Sequence, residues 1–251
     1  MRFLTYGNKS DKSIMLIHGM ANTADLFDPL LEYLGGFYVI VCELDGHLSR
    51  SGAQKTGVFK TIRSECVRIE SYVKAELFGE LSGLLGYSLG GTIVTELLGR
   101  GRIRVKRAIL DAAYVVKMGI MTCPYTFFFQ AAIWCLKKDI PIPAFLVECA
   151  MGRGNSKITD TLYAGVSLRS IRNACMSIFG YEIPKDLGRY ENPVVFWRGE
   201  NEYYPKKSEA LLKAYLPQMG VRVFKGMGHG QMLHEHPKSY AKEIIAFMES
   251  E

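Results

Sequence analysis

Short apolar runs recur along the chain, and each stops at a turn-forming residue. Residues 13–17 end at His18-Gly19, 37–42 lead to Asp45-Gly46-His47, and 81–85 run into Gly86-Tyr87-Ser88-Leu89-Gly90-Gly91. Residues 105–110, 193–197 and 221–224 follow the same form. Runs of this length, bounded by turn signals, predict strands buried on both faces. Between them the apolar period changes. Leu26, Leu30, Leu31 and Leu34 share one helical face in 25–34, and Ile62, Cys66, Ile69, Val73 and Leu77 recur every three or four positions in 58–77. Segments 208–216 and 237–248 behave likewise. Strand and helix in alternation predict an α/β fold, a mostly parallel central sheet with helices on both faces.

One segment breaks the rhythm. Residues 114–165 contain no clean strand, which divides the chain into a core of 1–113 and 166–251 and a helical cap, or lid, at 114–165. Within it, 118–136 carries no charged residue and is flanked by Lys117 and by Lys137-Lys138. That length of apolar chain is also the signature of a membrane span. Pro124, Thr126 and Gln130 interrupt it, and it lies between two strands of one sheet. We therefore expect no transmembrane span but an apolar helical insertion lying over the sheet, with weak association with a membrane surface left open.

Composition narrows the function classes. The chain has 251 residues, 48% of them hydrophobic and 22% charged, enough for a sizeable core and unlike a disordered or collagen-like chain. Its 31 basic and 25 acidic residues leave a scattered +6. Pairs such as Lys106-Arg107 and Lys206-Lys207 read as solvated faces, so no nucleic-acid partner is expected. Six widely spaced cysteines, without a C-x-x-C pair, predict free thiols in a reducing compartment rather than disulfides or zinc. Met1-Arg2-Phe3-Leu4 leads into Gly7-Asn8-Lys9-Ser10 without an apolar leader, and the expected location is cytoplasmic.

Three motifs carry chemistry. Gly86-Tyr87-Ser88-Leu89-Gly90 joins an apolar strand to a helical stretch; a sharp turn there exposes the serine hydroxyl, and glycines two before and two after avoid collisions of a Cβ. The helix beginning at Leu89 aims free N–H groups at the same spot. His18-Gly19-Met20 follows the first strand, so that the Met20 and Leu89 N–H groups form a candidate oxyanion hole, while His18 braces its loop. Gly226-Met227-Gly228-His229-Gly230 follows the last strand, where an imidazole can activate a serine that is otherwise a poor nucleophile. Metal binding by His229, His234 and His236 lacks a supporting carboxylate or thiol spacing, so no metal is expected. Asp45 is read as capping its turn and His47 as packing in its loop.

Together these motifs resemble the α/β-hydrolase fold superfamily, in particular its compact lidded serine esterases and lipases, and the resemblance covers nearly the whole chain. It implies the chain order nucleophile, acid, histidine. In that frame the acid follows the glycine that ends the fifth strand by three residues, with proline three further on; Gly199, Glu202 and Pro205 fit it, with Glu where Asp is commoner. Asp111 in Leu110-Asp111-Ala112-Ala113 is the alternative acid, and Glu200 is adjacent.

The resemblance implies a serine hydrolase in which Ser88 attacks a carbonyl carbon, His229 moves the proton and Glu202 orients the imidazole, with no cofactor. Phe127-Phe128-Phe129, Ile133, Trp134 and Leu136 make the cap strongly apolar. Tyr87, Phe127, Phe128 and Trp134 are thus expected around the substrate, a small-molecule ester or lipid-like compound with an apolar acyl or aryl group. The same residues would serve a thioesterase, an amidase, a C–C bond hydrolase or an acyltransferase, and a receptor could keep the pocket without turnover. The oligomeric state is not encoded in these motifs.

Overall fold

Alternation along single strands assigns side chains to two cores. In the second strand Met15 and Ile17 face one side of the sheet and Ile14 and Leu16 the other, as the two-residue strand period requires. The computed structural model describes residues 1–47 and 57–250. Its strands are β1 (Arg2–Tyr6), β2 (Lys12–Ile17), β3 (Phe37–Glu43), β4 (Glu80–Leu81), β5 (Gly83–Tyr87), β6 (Arg104–Val105), β7 (Ala108–Asp111), β8 (Val194–Gly199) and β9 (Gly220–Phe224). Its helices are α1 (Asp28–Leu31), α2 (Ile62–Leu77), α3 (Leu89–Arg100), α4 (Thr122–Lys137), α5 (Ala144–Met151), α6 (Leu168–Phe179), α7 (Tyr203–Lys213), α8 (Gln231–Glu235) and α9 (Pro237–Glu249).

Seven strands make one sheet in the order β1-β3-β2-β5-β7-β8-β9, while β4 and β6 form a short separate ladder. Only β1 runs antiparallel to its neighbour, with Arg2 opposite Glu43; the other pairs in the sheet are parallel. The carboxyl ends of β2, β5, β7, β8 and β9 therefore share one edge. One face of the sheet packs Ile17, Ile40, Leu84 and Leu110 against Cys66, Ile69 and Val73 of α2 and Ile93 and Leu97 of α3. The other packs Val39, Leu85, Ile109 and Trp197 against Leu30 of α1 and Tyr240, Ile244 and Met248 of α9. This is the α/β architecture expected from the alternation.

Local chemistry explains where boundaries moved. The helix expected over 58–77 starts at Ile62, because the Thr61 hydroxyl accepts from Ser64 N–H at 3.1 Å and Ser64 Oγ accepts from Thr61 N–H at 3.2 Å. It ends where Phe78 turns left-handed at φ 54°. The stretch 25–34 is only a 3₁₀ turn, Ala24–Phe27, followed by the short α1. The runs 81–85 and 105–110 each divide between the small ladder and a main strand. β1 is an element the apolar pattern did not predict: it lies at an edge, none of its five residues is buried, and it has no continuous apolar run. All six cysteines are free thiols, three of them buried.

The long connection between β7 and β8 holds α4, α5, a 3₁₀ turn at Ser156–Thr161, and α6. Thr122, Thr126 and Ile133 form the buried stripe of α4, at helical spacing, and Gln130 Nε2 donates to Leu168 O at 3.1 Å across to α6.

Candidate active site

Backbone geometry sets Ser88. It lies at φ 54°, ψ −114° as the N-cap of α3, a strained conformation at the turn from β5. Its N–H donates to Asp111 O at 2.8 Å, tying the turn to the end of β7. A Cβ on Gly86 would lie 2.2 Å from Gly90 O, and one on Gly90 only 2.1 Å from Ile17 O, so both glycines are required by backbone packing. The turn therefore holds the half-buried hydroxyl at the shared carboxyl edge.

His229 Nε2 is 3.0 Å from Ser88 Oγ. Its Nδ1 is 2.6 Å from Glu202 Oε1, in a loop that leaves the end of β8. An ionised carboxylate only accepts, so the imidazole carries its hydrogen on Nδ1 and offers the Nε2 lone pair to the hydroxyl. Gly199 N–H donates to the other Glu202 oxygen, which fixes the carboxylate. Ser88, His229 and Glu202 are thus brought into one hydrogen-bonded line.

Asp111, the other acid considered, points elsewhere. Its carboxylate accepts from Tyr240 Oη at 2.7 Å, and burial pushes its pKa up from 3.8 to about 7. Tyr240 in turn packs edge-on to Trp197, with ring centroids 5.1 Å apart. Glu200 accepts from Gly226 N–H at 2.9 Å, bracing the same loop from outside.

Of the two N–H groups expected to face an oxyanion, Leu89 opens α3 directly after Ser88, and Met20 lines the same cavity as Ser88. Neither N–H meets an acceptor among the described residues. His18 is fully buried: its Nε2 accepts from Leu44 N–H at 3.1 Å, its Nδ1 meets Gly19 O at 2.8 Å, and burial lowers its pKa to about 4. It holds the loop as a neutral brace. His47 packs against Phe59, Asp45 pairs with Arg68 at 2.7 Å and with the Met1 amine, and His236 precedes Pro237 at the start of α9. Among the described residues no group of three His, Cys, Asp or Glu is placed to hold a metal ion.

Above Ser88 and His229 lies a cavity of about 690 Å³. Tyr87 lines it and stands 5.1 Å from the His229 ring, centroid to centroid. Tyr125, Phe128, Phe129 and Ile133 of α4 and Phe145 of α5 form its roof. Phe127 and Trp134, expected beside Phe128, are not part of the lining; at about 100° per residue they stand roughly 100° and 80° around α4 from the buried Thr126 and face outward instead.

Sequence reasoning missed what holds the histidine loop. Asn155 is fully buried, and its Nδ2 donates to His229 O at 2.7 Å, while His229 N–H donates to Met151 O at 2.8 Å. Gly228 is needed there, because a Cβ would come within 2.7 Å of Met151 O. The insertion thus grips the imidazole loop through its backbone. The only sequence signal was the glycine pair Gly152 and Gly154 beside Asn155, which reads equally as a plain turn.

Comparison with known proteins agrees with this architecture. A structure of a putative alpha/beta hydrolase family protein from Desulfitobacterium hafniense superposes with a TM-score of 0.85 at 20% identity, covering 97% of this chain and 98% of that one. A carboxylesterase structure from Nitrososphaera gargenis superposes at 0.77 with 18% identity, covering 98% and 93%. An esterase from Thermogutta terrifontis does so at 0.75 with 17% identity, covering 98% and 92%. No curated protein matches the chain. The alpha/beta hydrolase family model matches residues 14–243, nearly the full length, and the chain belongs to that family.

Proposed function

We propose that the protein is a serine hydrolase of carboxylic esters carrying an apolar acyl or aryl group. Residues 114–165 act as a cap over a core of 1–113 and 166–251. The observation that carries this reading is the 3.0 Å approach of His229 Nε2 to Ser88 Oγ, with Glu202 on the opposite ring nitrogen. Family membership and the esterases among its structural neighbours support the same class. Ser88 Oγ attacks the carbonyl carbon while its proton passes to His229 Nε2, and the tetrahedral oxyanion faces the Met20 and Leu89 N–H groups. Each such donor, well aligned, lowers the barrier by ~3–4 kcal/mol. His229 then gives the proton to the departing alkoxide, and water splits the acyl-serine by the same route, so ester and water become acid and alcohol. The apolar roof of Phe128, Phe129 and Ile133 favours a medium or long acyl chain.

A fluorophosphonate probe tests the proposal. Covalent labelling of the wild type, absent in Ser88→Ala, together with faster turnover of p-nitrophenyl octanoate than acetate, is expected. Tight ligand binding without labelling would replace the enzyme with a receptor, and faster acetate turnover would remove the apolar-acyl preference.

A further inference from the structure

The outside of the roof is as apolar as its inside. Ile120, in the turn before α4, is 93% exposed; Phe127 is 73%, Trp134 47%, and Phe145 of α5 65%. A compact protein in water rarely presents so many large apolar side chains on neighbouring elements. Ile120, Phe127 and Trp134 recur every seven positions, and Lys138 follows Trp134 by four, so they form one stripe along the helix. Between Lys117 and Lys137 the segment has no charge, and Lys137 and Lys138 are exposed without an ion pair among the described residues. Lys117, at the other end, pairs with Glu182 at 2.5 Å. Phe128 and Phe145 are exposed yet also line the cavity, so the outer face runs continuously into the pocket.

We infer that this face of α4 and α5 docks on an anionic lipid surface. Ile120, Phe127 and Trp134 sink below the headgroups, and Lys137 and Lys138 meet the lipid phosphates or carboxylates. The chemistry selects this occupant: two adjacent lysines close an uncharged apolar run, the pairing of apolar stripe and basic end that an anionic bilayer takes, and Asp139 and Glu148 are the acidic groups beside them. The segment Gly119–Lys137 is long and apolar enough to cross a membrane. Its other side is held against α6 through Thr126 and Gln130, so it lies on the surface rather than spanning. Docked this way, the pocket mouth opens toward the bilayer. That second step, delivery of an apolar ester from the membrane, rests on the hydrolase reading above; the docking does not.

Ser88→Ala protein, which separates binding from turnover, is co-sedimented with vesicles of phosphatidylcholine alone and of phosphatidylcholine mixed with phosphatidylserine. At low salt the mixed vesicles should bind at least ~10-fold more tightly. Adding Ile120→Asp with Phe127→Asp should lower that affinity ~10-fold or more, and Lys137→Glu with Lys138→Glu about 5- to 30-fold. The charge-matched pair Lys238→Glu with Lys242→Glu, on α9, should change it less than ~2-fold. Circular dichroism melts of each variant confirm that it is folded. Binding to neither vesicle, binding indifferent to the Ile120 and Phe127 changes, or equal loss from the α9 pair would overturn the inference. So would a lipid-free dimer in sedimentation velocity that Phe127→Asp dissolves, since the face would then belong to a second copy. Docking without fluorophosphonate labelling of the wild type would leave this inference standing while removing the hydrolase reading.

Discussion

At the floor of the cavity a single methyl on Gly86 or Gly90 would strike backbone atoms, whereas on the roof Ile120 and Phe127 extend into open solvent. The floor gathers side chains from three strand ends, and each is tied by a hydrogen bond that leaves it one position. The roof's outward side chains have no such ties. The fold thus dictates the floor, and a change there alters any reaction the site performs; the roof is free to vary, and a change there alters which molecule or surface is met. That separation can be tested by how each region's variants distribute their losses between turnover and preference.

The largest effect belongs to the floor. Glu202→Gln should lower kcat by ~10³–10⁴-fold for every ester tested, because an amide cannot hold the imidazole in the required tautomer. Asp111→Asn should leave kcat within about 3-fold, since that carboxyl bonds Tyr240 and not His229. If the two variants exchange behaviours, Asp111 is the acid and the floor has been misassigned.

Between the two regions stands Asn155, a residue of the insertion that grips the histidine loop. Asn155→Ala removes one buried hydrogen bond to His229 O, so kcat should fall about 5- to 30-fold with KM little changed. The loss should be the same for acetate and octanoate. A change in chain-length preference instead would place Asn155 functionally with the roof.

How much of this was legible beforehand follows the same division. The parallel strands, the Ser88 turn and the Gly228-His229 loop were readable because each needs residue types that nothing else supplies: apolar runs for strands buried on both faces, and glycine where backbone approaches backbone. Glu202 was readable only through the spacing from Gly199 to Pro205 that the family resemblance supplied. The Asn155 clamp was not readable, because a buried amide donating to a distant carbonyl leaves no periodicity and no local motif. Nor was the outward turn of Phe127 and Trp134, since an apolar segment without charges has no polar face to fix its rotation; the partner helix α6 fixes it. β1 escaped for a related reason, a half-covered edge strand having no reason to be apolar throughout.

On the roof the expected effects are smaller and selective. Phe128→Ala should reduce the octanoate-to-acetate ratio of kcat/KM about 3- to 10-fold through lost apolar contact in the cavity, with acetate turnover almost unchanged. An equal loss for both esters would mean that Phe128 supports the floor.

The smallest effect on turnover, that of Asp111→Asn, carries the most informative signature in stability. Burial raises the Asp111 pKa in the fold from 3.8 to about 7, so the folded chain holds a proton that the unfolded chain releases. A raised folded pKa means its contribution is fully present below about pH 4 and is lost as pH rises through 7, at up to ~1.4 kcal/mol per pH unit. Glu65, raised to about 7 by burial, acts in the same direction, while His18, lowered to about 4, acts oppositely in acid. The difference between wild type and Asp111→Asn isolates the one group: thermal melts from pH 4 to pH 8 should show the variant gaining on the wild type up to about pH 7 and levelling off above it. Parallel curves would mean that Asp111 is ionised in the fold, its carboxylate held by the Tyr240 hydroxyl.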